Sequence, residues 1–170
     1  MKILDNNECR QWVKNNAKSD LSRISLNKEF SHSISYLIPA DAGKKNSLAQ
    51  LITNNLNFVK EGCFLVTGYG IWPSCENYDL FDGYRKSLGE NRGVSEAPAH
   101  IFLGDDSKQL GCLVLISLYF FWDAILIEGG FELVFMISHD EIITIYAKNK
   151  KRLSNLEINF KKSGFKKRKN

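Results

Sequence analysis

Three apolar segments near the C-terminus, separated by very short polar connections, constrain the fold of this chain more than any other feature. The segments cover residues 123–128, 132–138 and 141–147, and each has the length of an ordinary β-strand. Gly129 and Gly130 form the first connection and residues 138–140 form the second, and these residue types favour tight turns. Because such short connections join antiparallel strands, the sequence predicts a three-stranded antiparallel meander.

The rest of the chain predicts helices and further strands around this meander. Helical spacing of apolar residues, with capping boxes at Asp5/Glu8 and Asp106/Gln109, predicts several helices. These helices cover residues 5–17, 41–55, 73–88, 106–122 and 149–160, and the further strands cover residues 31–39, 63–72 and 100–103. The sequence therefore predicts one α+β domain over residues 1–160, a mixed sheet with the meander at its C-terminal end and helices packed on it. Residues 161–170 are predicted to form a basic, disordered tail.

The longest apolar run covers residues 111–122 and is too short to span a membrane. It has about a dozen residues, whereas a bilayer-spanning helix needs roughly 20. We therefore expect it to be a central helix that other elements cover on all sides. The first residues contain no apolar segment of the kind found in secretion signals. We expect a cytoplasmic protein with no membrane partner.

The four cysteines are spaced irregularly and contain no C-x-x-C pair. This spacing is unlike that of zinc sites, so we expect reduced thiols and neither a metal nor another cofactor. Cys63 and Cys112 fall in apolar segments, where cysteine behaves as a small hydrophobic residue. Both are therefore expected to be buried.

Charge is distributed unevenly along the chain. Residues 1–147 contain 13 basic and 18 acidic residues, a net charge of −5, whereas residues 148–170 contain 10 basic residues and one acidic residue. The sequence pI of about 8.8 thus reflects the C-terminal residues. Residues 1–147, the body of the protein, are mildly acidic. A basic tail can associate with nucleic acid through its phosphates, so nucleic-acid association through residues 161–170 is one hypothesis.

The second turn of the meander carries the motif SHDE at residues 138–141, which has two interpretations. The first is a hairpin turn with solvated polar side chains, because these residues bond well to local backbone. The second is a metal site for hydrolysis, formed by His100, His139 and Asp140 with Glu96 or Glu141. Adjacent strand residues point to opposite faces of a sheet, which favours the turn.

A second group of polar residues lies in the middle of the chain. Arg85 is placed on the inner side of a predicted helix, and Glu96 lies in the polar loop over residues 90–99. We expect a bidentate ion pair between them that holds the loop. The alternative is an anionic-ligand pocket or a protein interface that also uses Arg92. Trp122, at the end of the apolar helix, is predicted to belong to the core.

No catalytic signature is present in the sequence. It has no phosphate-binding loop of the G-x-x-x-x-G-K-[ST] type, no G-x-S-x-G nucleophile turn, no H-E-x-x-H zinc motif and no dinucleotide-binding glycine pattern. These absences favour a binding protein over an enzyme of those classes.

Residues 80–146 contain the segments LFDGYRKSLGENRGVSEAPAHIF, FWDAILIEGG and FMISHDEIITIY. Together they resemble small, mostly uncharacterised bacterial proteins of the polymorphic-toxin immunity type. The loop of that pattern reads E-A-P-G-H, and here Ala99 replaces the glycine. The resemblance implies a cytoplasmic binding protein whose recurring positions match Arg85, Glu96, His100, Trp122, Asp123, His139 and Asp140.

We therefore expect a non-enzymatic protein-binding module, an immunity protein that neutralises a cognate toxin. An acidic body complements a basic toxin such as a nuclease, and opposite charges speed association. The expected binding residues are those of the resemblance together with Arg92. The alternatives are the metal-assisted hydrolase at His100, His139 and Asp140, and nucleic-acid association through the basic tail.

Overall fold

The computed structural model describes residues 1–17 and 29–168, apart from the side chain of Cys75. Within these residues, one sheet contains the strands β1 (Lys2–Leu4), β2 (His32–Leu37), β3 (Gly62–Gly68), β4 (Ala99–Phe102), β5 (Asp123–Ile127), β6 (Leu133–Ser138) and β7 (Ile142–Ala147). The order across the sheet is β1-β4-β3-β5-β6-β7-β2. The predicted α+β class and the C-terminal meander β5-β6-β7 are confirmed.

The prediction of a mixed sheet was wrong, because all the pairings that form it are antiparallel. At the two edges of the sheet the pairings join strands that are distant in sequence: β2 adds to β7, and β1 adds to β4. Local periodicity predicts that a segment is a strand but not which neighbour it pairs with. The direction of these outer strands was therefore invisible in the sequence.

The helices in the described residues are α1 (Asn6–Ala17), α2 (Ala42–Asn54), α3 (Tyr78–Ser87), α4 (Ser107–Phe120) and α5 (Lys150–Lys162). The capping box of α1 is confirmed. Asp5 accepts from the N–H groups of Asn7 and Glu8 at 2.8 Å each, and Glu8 accepts from the N–H of Asp5 at 3.0 Å. Such caps satisfy N–H groups that a helix leaves free at its first turn. None of these helices is long and apolar enough to cross a membrane.

The predicted capping box of α4 was wrong. A short 3-10 turn over Gly104–Asp106 precedes the helix, and the Asp106 side chain makes no bond to the first turn of α4. Its carboxylate instead accepts from the Met1 ammonium at 2.8 Å and from the N–H of Leu103 at 2.9 Å. Because these partners lower the pKa of Asp106 despite its burial, the carboxylate ties the N-terminus to this turn.

Helices α2 to α5 contribute to the larger of two cores, which packs on one face of the sheet. This core takes alternate residues from the strands, including Phe64, Leu126 and Phe135. The smaller core lies on the opposite face and joins α1 to β1, β3 and β4. Helix α4 is not covered on all sides as predicted, because Cys112 and Tyr119 are exposed. Cys63 is buried as predicted.

The C-terminal segment is ordered as far as Arg168, contrary to the predicted disordered tail from residue 161. Helix α5 extends to Lys162, and the Phe165 side chain is buried against Phe160. The N–H of Leu37 then donates to the Lys166 carbonyl, and the N–H of Arg168 donates to the Ser35 carbonyl. The segment thereby covers the free edge of β2, which would otherwise expose unpaired backbone groups. Residues 169–170 lie outside the described part of the chain.

Candidate functional site

The segment that follows β3 exposes large apolar side chains to solvent. The strand predicted over residues 63–72 ends at Gly68, and the helix predicted from residue 73 begins only at Tyr78, after a short 3-10 turn. Trp72 consequently lies in a loop with 51% of its surface exposed. We call the exposed apolar residues of this region the aromatic surface: Tyr69, Ile71, Trp72, Tyr78 and Leu80. Contiguous exposed apolar groups of this kind often mark interaction sites.

Trp122 supports the aromatic surface from below. Its side chain is fully buried, and its ring lies 6.0 Å from each of the Tyr69 and Tyr78 rings, measured between centroids. Phe81 packs edge-on against it at 4.7 Å. Trp122 therefore belongs to the core, as predicted, and holds the exposed rings rather than offering a surface of its own.

Asp123 and His139 form a hydrogen-bonded pair beside the aromatic surface. Nδ1 of His139 lies 2.9 and 3.0 Å from the two carboxylate oxygens of Asp123, and the main-chain N–H of His139 donates to Asp123 Oδ1 at 2.8 Å. Gly68 makes this possible, because a Cβ there would lie only 2.8 Å from Asp123 Oδ2. The hydrogen bond with Asp123 raises the pKa of His139. Nε2 is left 3.7 Å from Asp140 Oδ1.

A cleft of about 340 Å³ lies between this pair and the aromatic surface. Its walls are Trp72, Phe121, His139, Asp140 and Glu141. The β6–β7 turn supplies three of these residues, as the hairpin interpretation of SHDE predicts, and the N–H of Glu141 donates to the Ser138 carbonyl at 3.1 Å. Asp140 is strongly solvated, with 71% of its side chain exposed, and Glu141 is also exposed.

Two residues of the cleft hold an unfavourable backbone conformation. Phe121 has φ of 53° and Glu141 has φ of 60°, both in the left-handed region that favours glycine. The Lys45 ammonium lies 4.1 Å from the centroid of the Phe121 ring and donates to the Leu118 carbonyl. The N–H of Ile38 donates to the Glu141 carbonyl at 2.8 Å. Surrounding structure thus imposes both conformations, as is frequent at functional sites.

The region around the cleft is acidic. Residues 69–84, which carry the aromatic surface, contain three acidic and no basic residues, and Asp123, Asp140 and Glu141 lie at the cleft. The neighbouring Glu76 carboxylate, together with burial, raises the pKa of Tyr78 to about 12. A surface with this balance attracts a positively charged group.

Arg85 does not pair with Glu96 as predicted. The Arg85 side chain is fully buried and donates to the main-chain carbonyls of Arg92 at 3.0 Å and Ala97 at 2.6 Å. Its guanidinium lies 5.5 Å from the Phe81 ring centroid. The predicted role of holding the loop over residues 90–99 is therefore fulfilled through backbone carbonyls, and Arg85 is inaccessible to a partner.

The other two predicted residues of this loop also serve its conformation. Arg92 forms a two-pronged ion pair with Glu90, with distances of 2.9 and 2.6 Å, and this hydrogen bonding lowers the pKa of Glu90 to about 2. Glu96 accepts from the N–H of Gly93 at 3.0 Å. The guanidinium of Arg92 also donates to the Ile3 carbonyl at 3.2 Å. The loop is thereby tied to β1, at the sheet edge away from the β6–β7 turn.

The metal site hypothesised at His100, His139 and Asp140 does not assemble. His100 is fully buried, with its ring centroid 6.0 Å from that of Phe64 and 6.3 Å from that of Phe81. Burial and the Arg85 charge lower its pKa to about 3. Strands β3 and β5 separate β4 from β6, which corresponds to about 14 Å at the usual strand spacing. In the described residues, no group of three or more His, Cys, Asp and Glu side chains could hold a metal ion.

Neither a family model, nor a curated protein, nor a solved structure matches this chain. The α+β class hosts many unrelated functions, so function has to be argued from the chemistry of the site.

The sequence led to only part of this site. Asp123, His139, Asp140 and the supporting Trp122 were among the predicted residues, whereas the exposed residues Tyr69, Trp72 and Tyr78 and the cleft residue Phe121 were not. One signal was available for the exposed group: Gly68, Gly70 and Pro73 break the strand and the helix predicted there. Aromatic residues between such breaks lie on loops, where binding residues concentrate.

Proposed function

We propose that this chain is a non-enzymatic protein-binding module that contacts a basic protein partner through the aromatic surface and the adjoining cleft. The observation that carries this proposal is the exposure of Trp72 and its aromatic neighbours directly beside Asp140 and Glu141. Tryptophan and tyrosine dominate the binding energy of protein interfaces, because they bury a large rigid area at low entropic cost. Exposed aromatic rings bring no comparable benefit to an isolated protein in water.

The partner class we propose is a toxin that the chain neutralises in the cytoplasm. The resemblance of residues 80–146 to immunity proteins supports a toxin, and the acidic surroundings of the cleft support a basic one. Opposite charges steer two proteins together and raise the association rate. Burial of Arg85, His100 and Trp122 favours a structural role for these positions, and so does the bond of Glu96 to the Gly93 N–H within its own loop. Asp123, His139 and Asp140 remain as the recurring residues at the proposed binding surface.

The first test is affinity capture from the source cells with three forms of the protein. These are the unchanged protein, the double variant Trp72→Ala/Asp140→Lys, and the control Glu132→Lys. Glu132 is exposed and precedes β6 at the end opposite to the cleft. Glu132→Lys therefore reverses one negative charge, as Asp140→Lys does, but far from the cleft. We expect one basic protein to be retained by the unchanged and control forms and lost by the double variant, at about 0.15 M salt. Equal retention by all three would contradict the proposed surface.

The second test asks whether the captured protein is neutralised. Cells that express it alone should stop growing, and co-expression of the unchanged chain should restore growth. The Trp72→Ala/Asp140→Lys variant should fail to restore growth, provided that it accumulates to the same level. A captured protein that is harmless when expressed alone would refute the toxin and leave a binding module for a different partner.

A second candidate function is association with nucleic acid, and the ordered C-terminal segment favours it. Five exposed basic side chains are held on fixed backbone there, namely Lys161, Lys162, Lys166, Lys167 and Arg168. Contacts from five such charges to phosphates would give a slope of about −4.5 in log K against log salt. Replacing the four lysines with glutamine should reduce this slope by at least half. A duplex affinity that is unchanged by the substitutions would remove this candidate.

A further inference from the structure

The cleft beside Trp72 combines an exposed indole ring with acidic residues. We propose that it takes an arginine side chain of the partner, with the guanidinium stacked on Trp72 and paired with the carboxylates of Asp140 and Glu141. This inference rests on the proposed function for the source of the arginine. The binding of arginine itself can be measured without the partner.

The balance of charge in the cleft favours a cationic occupant. Asp123, Asp140 and Glu141 carry three negative charges, which outnumber His139 and Lys45 even when His139 is protonated. An anionic group would be repelled by this excess. An uncharged apolar group would shield the carboxylates from water and offer them no hydrogen bond, which is costly. A cation is the class of group that satisfies them.

The shape of the cleft favours a guanidinium over an ammonium. Half of the Trp72 surface is exposed and offers a flat aromatic wall, while Asp140 and Glu141 lie on the turn that forms another wall of the same cleft. A guanidinium can stack its face on an indole and at the same time donate several in-plane hydrogen bonds to carboxylates. A lysine ammonium is a compact and strongly hydrated charge that lacks this planar arrangement.

The walls of the cleft are held in place before any ligand arrives. Asp123 fixes the His139 ring through Nδ1, and the Ser138 carbonyl together with Ile38 fixes Glu141 in its left-handed conformation. A site whose groups are already ordered loses less conformational entropy on binding. Glycine would adopt this turn conformation at a lower conformational cost. The presence of Glu141 there instead places a carboxylate at the cleft.

The test is a titration of the isotopically labelled full chain, followed by NMR. The probes are three capped pentapeptides of the form Gly-Gly-X-Gly-Gly, in which X is arginine, lysine or citrulline. Citrulline keeps the shape of arginine without its charge. We expect the arginine peptide to shift the Trp72 indole N–H and the amides of residues 139–141, with a Kd on the order of millimolar. The lysine peptide should bind at least about threefold more weakly, and citrulline should cause no such shifts.

Matched variants locate the site. Trp72→Ala and the double variant Asp140→Asn/Glu141→Gln should each weaken arginine binding at least tenfold, whereas Glu132→Gln should leave it unchanged. Equal binding of the arginine and citrulline peptides, or arginine binding that survives both cleft variants, would overturn the inference. If the arginine peptide fails to bind while the captured partner still depends on Trp72, the inference is wrong and the proposed function remains. If the peptide binds and capture of the partner does not depend on Trp72, the arginine site is supported and the proposed binding surface for the partner is wrong.

Discussion

Replacement of Glu141 with glycine should stabilise the protein, although it removes a charged residue from the proposed binding cleft. Glu141 has φ of 60°, and the left-handed conformation costs a residue with a Cβ about 1–2 kcal/mol. Glycine avoids this cost but loses about 0.5–1 kcal/mol of additional backbone entropy on folding. The difference predicts a gain of about 0.5–1 kcal/mol in the free energy of unfolding. For a chain of this length the gain corresponds to a rise of about 1–3 °C in Tm.

Urea denaturation, followed by tryptophan fluorescence, measures this gain, and Asp140→Gly provides the control. Asp140 precedes Glu141 in the same turn, is also exposed, and does not have positive φ. Glycine at Asp140 should therefore lower the free energy of unfolding by about 0.5–1 kcal/mol. Opposite signs at two adjacent positions are the expected result. Destabilisation by Glu141→Gly would show that the side chain contributes to folding, and would refute the argument that its conformation is retained for binding.

Three further predictions concern residues that hold the fold. Arg85→Met should lower the free energy of unfolding by about 2–4 kcal/mol, because two main-chain carbonyls lose their donors. The adjacent exposed control Lys86→Ala should change it by less than about 0.5 kcal/mol. A small loss for Arg85→Met would contradict the anchoring role. Glu90 has a pKa lowered from 4.5 to about 2, so its contribution to stability is complete above pH 4.5 and is lost as the pH falls toward about 2. The unchanged protein should therefore lose more stability over this range than Glu90→Gln, and parallel pH profiles would refute the assignment. Phe165→Ala should release the C-terminal segment and speed amide exchange at Leu37 by at least about tenfold, and unchanged exchange there would show that the edge of β2 does not need this anchor.

The elements that the sequence predicted well are those fixed by local chemistry. The capping box at Asp5, the start of the helix predicted from residue 41 and the turns of the meander each depend on residues within a few positions of one another. Asp41 is the N-cap of that helix and accepts from the N–H of Lys44 at 2.8 Å. Such local hydrogen bonds compete with few alternatives, so pattern and structure agree.

The predictions that were wrong depend on partners distant in sequence. Asp106 turns to the Met1 ammonium, 105 residues away along the chain, and local capping cannot compete with a charged partner of this kind. Arg85 donates to main-chain carbonyls of the loop over residues 90–99, and the sequence of its own helix does not indicate these partners. The C-terminal lysines suggested disorder, yet burial of Phe165 and pairing with β2 hold the segment. In each case tertiary contacts decide between alternatives that have similar local free energies.

The candidate binding site was hard to predict for a related reason. Trp72 is an apolar residue at the end of an apolar segment, and such a pattern is more typical of a core position than of a surface. Its exposure follows from where β3 ends, and the end of β3 is set by the bulge at residues 66–68 and by the contact of Gly68 with Asp123. That contact joins segments 55 residues apart, so no local pattern could have revealed it.

The affinity of the purified partner for the unchanged protein and for Trp72→Ala is the most direct test of the central claim. If the aromatic surface is the binding surface, loss of Trp72 should raise the Kd at least about thirtyfold, which corresponds to about 2 kcal/mol. Glu132→Lys should leave the Kd within about threefold, a change of less than about 0.7 kcal/mol. A Trp72→Ala protein that is folded and binds as tightly as the unchanged chain would contradict the account.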